Sequence, residues 1–300
     1  MTITDPATAT HQLHQLIGGF LYCLTSGKAN ALEGLVRPLL EHCPFPVLFQ
    51  FEATNLYRVR EGDVSGIDTG DAFLSNISEF KVNPNASTIG IGRCNLPGIQ
   101  IHYCAFEERT AQFEAISSFR KSENGNVEER HVAYIGRWQS TRVLRLVSLI
   151  DRDEDRTLFK NQQTEWADFV QELISFLMYV FSHPADDCKV VYTFTSMVTS
   201  IFLERFDGIV YPSSITGSGN NVALKPALIE DGSVMFCNAS RIRRNAYAGD
   251  GSRVDNWLGY VCNSNGDLLW SPSITTFRQY ASRGVILGAY QPSIDPKNAL

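Results

Sequence analysis

The chain has 300 residues, 44% of them apolar, enough for one large domain or two small ones with a sizeable core. Its formal net charge is −6 and its pI about 5.6, so the surface as a whole does not attract a polyanion, and no nucleic acid is expected as a partner. Seven cysteines, an odd number with no CxxC pair, argue against a disulfide framework and a cysteine zinc site and fit buried, reduced thiols.

The first residues, MTITDPATATHQLHQL, lack a basic start and an apolar h-region, and no run of 18 apolar residues occurs. The expectation is a cytoplasmic protein with no signal peptide and no membrane association. His11 to Cys43 reads as helical, because Leu13, Leu16, Ile17 and Phe20 recur at helix spacing, as do Leu32, Leu35, Leu39 and Leu40. Pro44 and Pro46 end that stretch. It is expected to form an N-terminal helical extension over residues 1–46, ahead of a main domain over 47–300.

VLFQF from Val47 reads as the first strand of that domain, and the Gly-, Asp-, Asn- and Ser-rich stretch from Asp63 to Ser87 as loops. Ile99 to Phe106 alternates as a strand, with Thr110 capping a short helix that runs through Phe119. HVAYIGRW and RVLRLVSLI read as two more strands. Trp166, Phe169, Val170, Leu173, Ile174, Leu177, Val180 and Phe181 keep i, i+3, i+4, i+7 spacing and mark the clearest helix. It lies in what reads as an insertion over about 120–190. Phe194, Met197, Val198, Ile201 and Phe202 repeat the pattern before the strand GIVY, and VMFCN, WLGYVCN and GDLLW supply short strands in the last third. Strands that do not alternate regularly with helices make this an α+β chain.

No metal is expected. His11 and His14 stand at i, i+3 with no third ligand nearby, and the charged run Asp151 to Arg156 lacks the Gly and Glu of a calcium loop. Two other stretches carry chemistry: IGRCNLPGIQIHYCAFEERTAQFEA, from Ile91 to Ala115, and DGIVYPSSITGSGNNVAL, from Asp207 to Leu224.

In the first, Arg93 is either a solvated turn arginine or an anion clamp, since a guanidinium binds phosphate bidentately and keeps its charge. Arg58 and Arg60, in LYRVR, face the same side of a strand. Tyr103 is either a core tyrosine or an aromatic platform. Glu114 is a solvated helix carboxylate or a charged group at the rim where strand and helix meet. Ser213 opens a loop of small residues at a strand end, where a ligand can approach the backbone.

The order of these residues, with GRCN, PG, HYCA and TAQFE, resembles the RES domain family over roughly Val47 to Pro226. The resemblance implies an α+β fold related to the ADP-ribosyltransferases, with small mixed sheets around a cleft lined by Arg58, Arg93, Tyr103, Glu114 and Ser213. It implies an enzyme that destroys NAD+, taken as substrate with no other cofactor, by breaking its nicotinamide–ribose bond as a glycohydrolase or phosphorylase. Glu114, Tyr103 and Ser213 would be catalytic, and Arg58 and Arg93 would bind the substrate. The alternatives are ADP-ribosyl transfer to a macromolecule and a non-catalytic nucleotide-binding or interaction protein. Many family members are toxins, so an antitoxin or immunity protein and a second copy of the chain are the candidate protein partners. The chain departs from the compact toxins at Cys94, where they usually carry Trp, and at Ile91-Gly92, where they often carry Gly-Gly.

Overall fold

The computed structural model describes residues 3, 5–26, 32–42, 47–50, 54–62, 73–116, 130–150, 166–183, 189–216, 219–245 and 253–273. In chain order its elements are α1 (Pro6–Ser26), α2 (Glu33–His42), β1 (Val47–Gln50), β2 (Asn55–Glu61), β3 (His102–Ala105), α3 (Glu108–Ala115), β4 (Arg130–Ser140) and β5 (Leu144–Ser148), then α4 (Ala167–Ser182), α5 (Lys189–Arg205), β6 (Gly208–Pro212), β7 (Asn220–Leu224), α6 (Ala227–Glu230), β8 (Val234–Asn245), β9 (Arg253–Val261) and β10 (Leu268–Pro272). Short 3-10 turns lie at Ile77–Phe80 and Ala86–Thr88. The result is a mixed α/β protein with an open mixed sheet. Among the described residues no helix is long and apolar enough to cross a membrane.

The chain forms two compact units, each built from several segments. The first takes residues 1–52, 83–103 and 142–231. Its strands run in the order β1-β5-β6-β7, with β5 and β6 parallel and the other pairs antiparallel. Parallel neighbours need a long crossover, and α4 and α5 lie in that connection. Val147, Ile209 and Ala223 stand in one row across the sheet, and the helices bury their apolar stripes with that row in a single core. From α4 come Phe169, Val170, Leu173, Ile174, Leu177, Val180 and Phe181, so the helix expected from its spacing packs on the core as that stripe requires.

The N-terminal helices join the same core. Leu13, Leu16 and Phe20 of α1 and Val36, Leu39 and Leu40 of α2 are buried in it. The ring of Phe20 meets Phe176 of α4 edge-on at 5.6 Å and Phe194 of α5 at 5.0 Å. The helical spacing was legible, but which partner the stripe would meet was not. Pro38 sits inside α2.

The second unit takes residues 53–82, 104–141 and 232–300. Here β2, β4, β8, β9 and β10 form an antiparallel run, with a register shift between Arg137 and Trp138. α3 packs on β2 and β4, where Ala111, Phe113 and Ile116 meet Val59, Ala105, Ala133 and Ile135. Tyr134 alternates with Ala133 and Ile135 and so lies on the opposite face. There it meets Trp270, which packs on Phe73 and donates its indole N–H to the Leu74 carbonyl.

Two local expectations are corrected. The strand expected over Ile99 to Phe106 is only His102–Ala105, because Gly98 at φ +79° and an Ile99 N–H bond to the Leu96 carbonyl keep the chain turning through residue 99. The helix expected to start at Thr110 starts at Glu108 with Glu107 as its N-cap. Thr110 is inside it, buried, and its hydroxyl donates back to the Glu107 carboxylate at 3.3 Å. The charged run at 151–156 and the end of the expected helix at 117–119 lie outside the described residues.

Candidate functional site

In the first unit the chemistry begins at a turn. The Gly92 N–H donates to the Asn95 carbonyl at 2.9 Å, closing the turn that carries Arg93. Asn95, buried, donates its amide to the Gly90 carbonyl at 2.8 Å and the Leu96 carbonyl at 3.0 Å. Tyr103 reaches back from β3, where its hydroxyl accepts from the Cys94 N–H at 2.7 Å and donates to Asn95 Oδ1 at 2.8 Å. A side chain at residue 92 would run into Asn95 Oδ1 and come within 3.0 Å of the Tyr103 oxygen, so the turn requires glycine there.

Burial pushes the Tyr103 hydroxyl well above its usual range, and the neighbouring Cys94 pushes the same way, so it stays a donor. Burial also raises the Cys94 thiol to about 12, against smaller opposing effects from Thr199, Tyr211, Arg93 and Tyr103. A thiol so protonated is packing, not a nucleophile.

Arg93 leaves this turn toward the end of α4. Its guanidinium donates to the Phe181 carbonyl at 2.6 Å, the His183 carbonyl at 3.1 Å and Ser214 Oγ at 3.3 Å, and stacks 5.5 Å from the centre of the Tyr192 ring. The last carbonyls of a helix lack partners within it and attract a cation. α4 has no basic residue in its own last turn, and Arg93 supplies that charge. Three bonds engage three of the five N–H donors a guanidinium carries.

Ser213 follows β6 and is 3% exposed. Its Oγ accepts from the Ile215 N–H at 3.2 Å and the Thr216 N–H at 3.1 Å, and its own N–H donates to the Gly219 carbonyl. The hydroxyl thus holds its loop, a local side-chain turn of the kind serine favours. The neighbouring Ser214 is the one that touches Arg93.

In the second unit the two arginines of β2 separate. Arg60 donates to the carbonyls of Glu79 (3.0 Å) and Lys81 (2.5 Å), capping the 3-10 turn at Ile77–Phe80, and burial lowers its guanidinium below the usual range. Arg58 is 8% exposed and lies opposite Gly136 of β4, and its charge is felt by the buried Cys104 thiol. Glu114 stands in the last turn of α3, three residues after buried Ala111, and is half-buried, not the fully solvated carboxylate of the ordinary alternative.

Of the five expected positions, Arg93, Tyr103 and Ser213 therefore belong to the first unit, and Arg58 and Glu114 to the second. Tyr103 and Arg93 meet through one turn, and Arg93 meets the serine loop through Ser214. The part played by Asn95 was not read from the sequence. Its signal was an asparagine closing a Gly-Arg turn, a residue type that bonds local backbone. Among the described residues no group of three His, Cys, Asp or Glu side chains could hold a metal ion.

The family model described as RES domain matches residues 77–237, more than half of the chain. Arg93, Tyr103, Glu114 and Ser213 fall inside that span and Arg58 precedes it. No curated protein matches the chain.

Proposed function

The chain belongs to the RES domain family, and we propose on that premise that it consumes NAD+ by cleaving the nicotinamide–ribose bond. The observation that carries the reading is that Arg93, Tyr103, Glu114 and Ser213 lie inside the matched span, and none is a fully solvated surface residue.

The chemistry asks little of the protein. The C–N electron pair moves onto the pyridinium nitrogen, nicotinamide leaves neutral, and positive charge is shared between the anomeric carbon and the ribose ring oxygen. Water then adds to that carbon and gives its proton to solvent, leaving ADP-ribose. Glu114 is the group assigned to the developing charge. A half-buried carboxylate acts through a lower effective dielectric than one in bulk water and needs no reorganisation at the moment of bond cleavage. Arg58 and Arg93 are assigned to the pyrophosphate. The Tyr103 ring is assigned to the nicotinamide, and Ser213 to orienting that end. An enzyme that depletes NAD+ endangers its own cell, so a neutralising protein partner belongs to the same proposal.

Incubating the purified protein with NAD+ in water, in phosphate and with added protein tests the reading. Free nicotinamide is expected, with ADP-ribose, ADP-ribose-1″-phosphate or protein-bound ADP-ribose naming the acceptor. Intact NAD+ under all three conditions would remove the proposal.

A further inference from the structure

We propose that Asn95 and the Tyr103 hydroxyl are positioning residues that act through Arg93 on the loop over residues 213–216. The bonds form a continuous relay within the first unit. Tyr103 holds the Cys94 N–H and the Asn95 side chain, Asn95 holds the backbone on both sides of the turn, and the turn carries Arg93. Arg93 spends its fork on the end of α4 and on Ser214 Oγ. Ser214 adjoins Ser213, whose hydroxyl holds the Ile215 and Thr216 N–H groups.

The links run from 2.6 to 3.3 Å and are part-buried, and Asn95 is buried. Losing its side chain would therefore leave polar groups unsatisfied where water cannot easily replace it. The Tyr103 ring keeps its proposed place against the nicotinamide, and the hydroxyl has a separate role. With its hydroxyl bonded twice to the turn, the polar end of that side chain serves the turn and not a ligand.

The relay makes a prediction that local packing alone does not. In Asn95→Leu and in the milder Tyr103→Phe, hydrogen exchange should quicken at residues 90–96 and also at the Ile215 and Thr216 amides. Losing one or two buried hydrogen bonds implies roughly tenfold faster exchange at those amides. Asn95→Asp keeps the acceptor for Tyr103 but sets a buried carboxylate oxygen against the Gly90 and Leu96 carbonyls, so exchange should quicken at least as much as in Asn95→Leu. Ser87→Ala, in an exposed turn of the same unit, should leave residues 215 and 216 unchanged. If Asn95→Leu does not fold, Tyr103→Phe carries the comparison. Faster exchange confined to residues 90–96 in a folded variant overturns the relay.

The kinetic arm rests on the proposed NAD+ reading. A displaced Arg93 should raise KM for NAD+ about tenfold while kcat changes less than about threefold, the signature of lost uniform binding. A fall in kcat with KM unchanged overturns the positioning role. Absence of nicotinamide release from the parent protein removes the NAD+ reading instead, and the exchange data then decide the relay on their own.

Discussion

Replacing Phe20 by alanine tests whether the N-terminal helices belong to the first unit or merely adjoin it. Phe20 is 1% exposed and its ring fills the junction of three helices, meeting Phe176 of α4 at 5.6 Å and 80° and Phe194 of α5 at 5.0 Å and 53°. Truncation removes the transfer free energy of the ring and leaves a cavity that rigid neighbours cannot fully close, about 3–5 kcal/mol for a buried phenylalanine. The two aromatic pairs place Phe20→Ala toward the upper end of that range. For a unit of this size the loss corresponds to a Tm lower by roughly 6–20 °C. The control is Tyr22→Ala on the same helix, 68% exposed, for which a change within about 0.5 kcal/mol is expected. Urea unfolding followed by circular dichroism gives both values. A loss below about 1 kcal/mol for Phe20→Ala, or a separate early transition for α1, would refute a shared core.

Two further outcomes follow from titratable groups. Burial works to raise the Asp207 carboxyl, but hydrogen bonds from Arg142 and the Arg145 N–H, with the charges of Arg142 and Lys225, outweigh it and hold the group below the usual carboxylate range. A depressed carboxylate contributes stability above its unfolded pKa, about 4, and loses it as the pH falls further. Acid titration of stability should therefore show a drop below pH ~4 that is smaller in Asp207→Asn, and equal acid slopes in the two proteins would contradict this. Burial raises the thiols of Cys94 and Cys104 to about 12, whereas Cys262 is exposed. Iodoacetamide at neutral pH should label Cys262 in the native protein and reach Cys94 and Cys104 only after denaturation, as read by peptide mapping. Native labelling of Cys94 as fast as Cys262 would refute its burial.

Much of the fold was legible because periodicity reports burial directly. The apolar stripe from Trp166 to Phe181 became α4, and the repeat from Phe194 to Phe202 became α5. Less legible was β8, read only as VMFCN, because its continuation through Arg241, Arg243 and Arg244 lacks an apolar alternation. β7, at Asn220–Leu224, is short and follows two glycines, so its strand character does not stand out in the sequence. The site was legible as a set of residues but not as a set of bonds. Arg93 was chosen for its charge, and nothing in the sequence says that the end of a helix 88 positions later would take its N–H groups. Tyr103 was chosen for its ring, while its hydroxyl proved to be what ties β3 to the Arg93 turn. Such long-range polar pairings depend on the tertiary fold, and residue spacing does not encode them.

The central claim is that a carboxylate at Glu114 stabilises charge on a ribose as nicotinamide leaves. The most direct measurement is the rate of nicotinamide release from NAD+ by the parent protein and by Glu114→Gln, side by side. The glutamine keeps the size of the side chain and most of its hydrogen bonding but removes the charge. A fall of at least ~100-fold in kcat, the scale of losing one preorganised electrostatic partner, with NAD+ binding weakened far less, is the expected result. Release by Glu114→Gln at the parental rate would contradict the account and leave the RES domain of this chain as a fold without that chemistry.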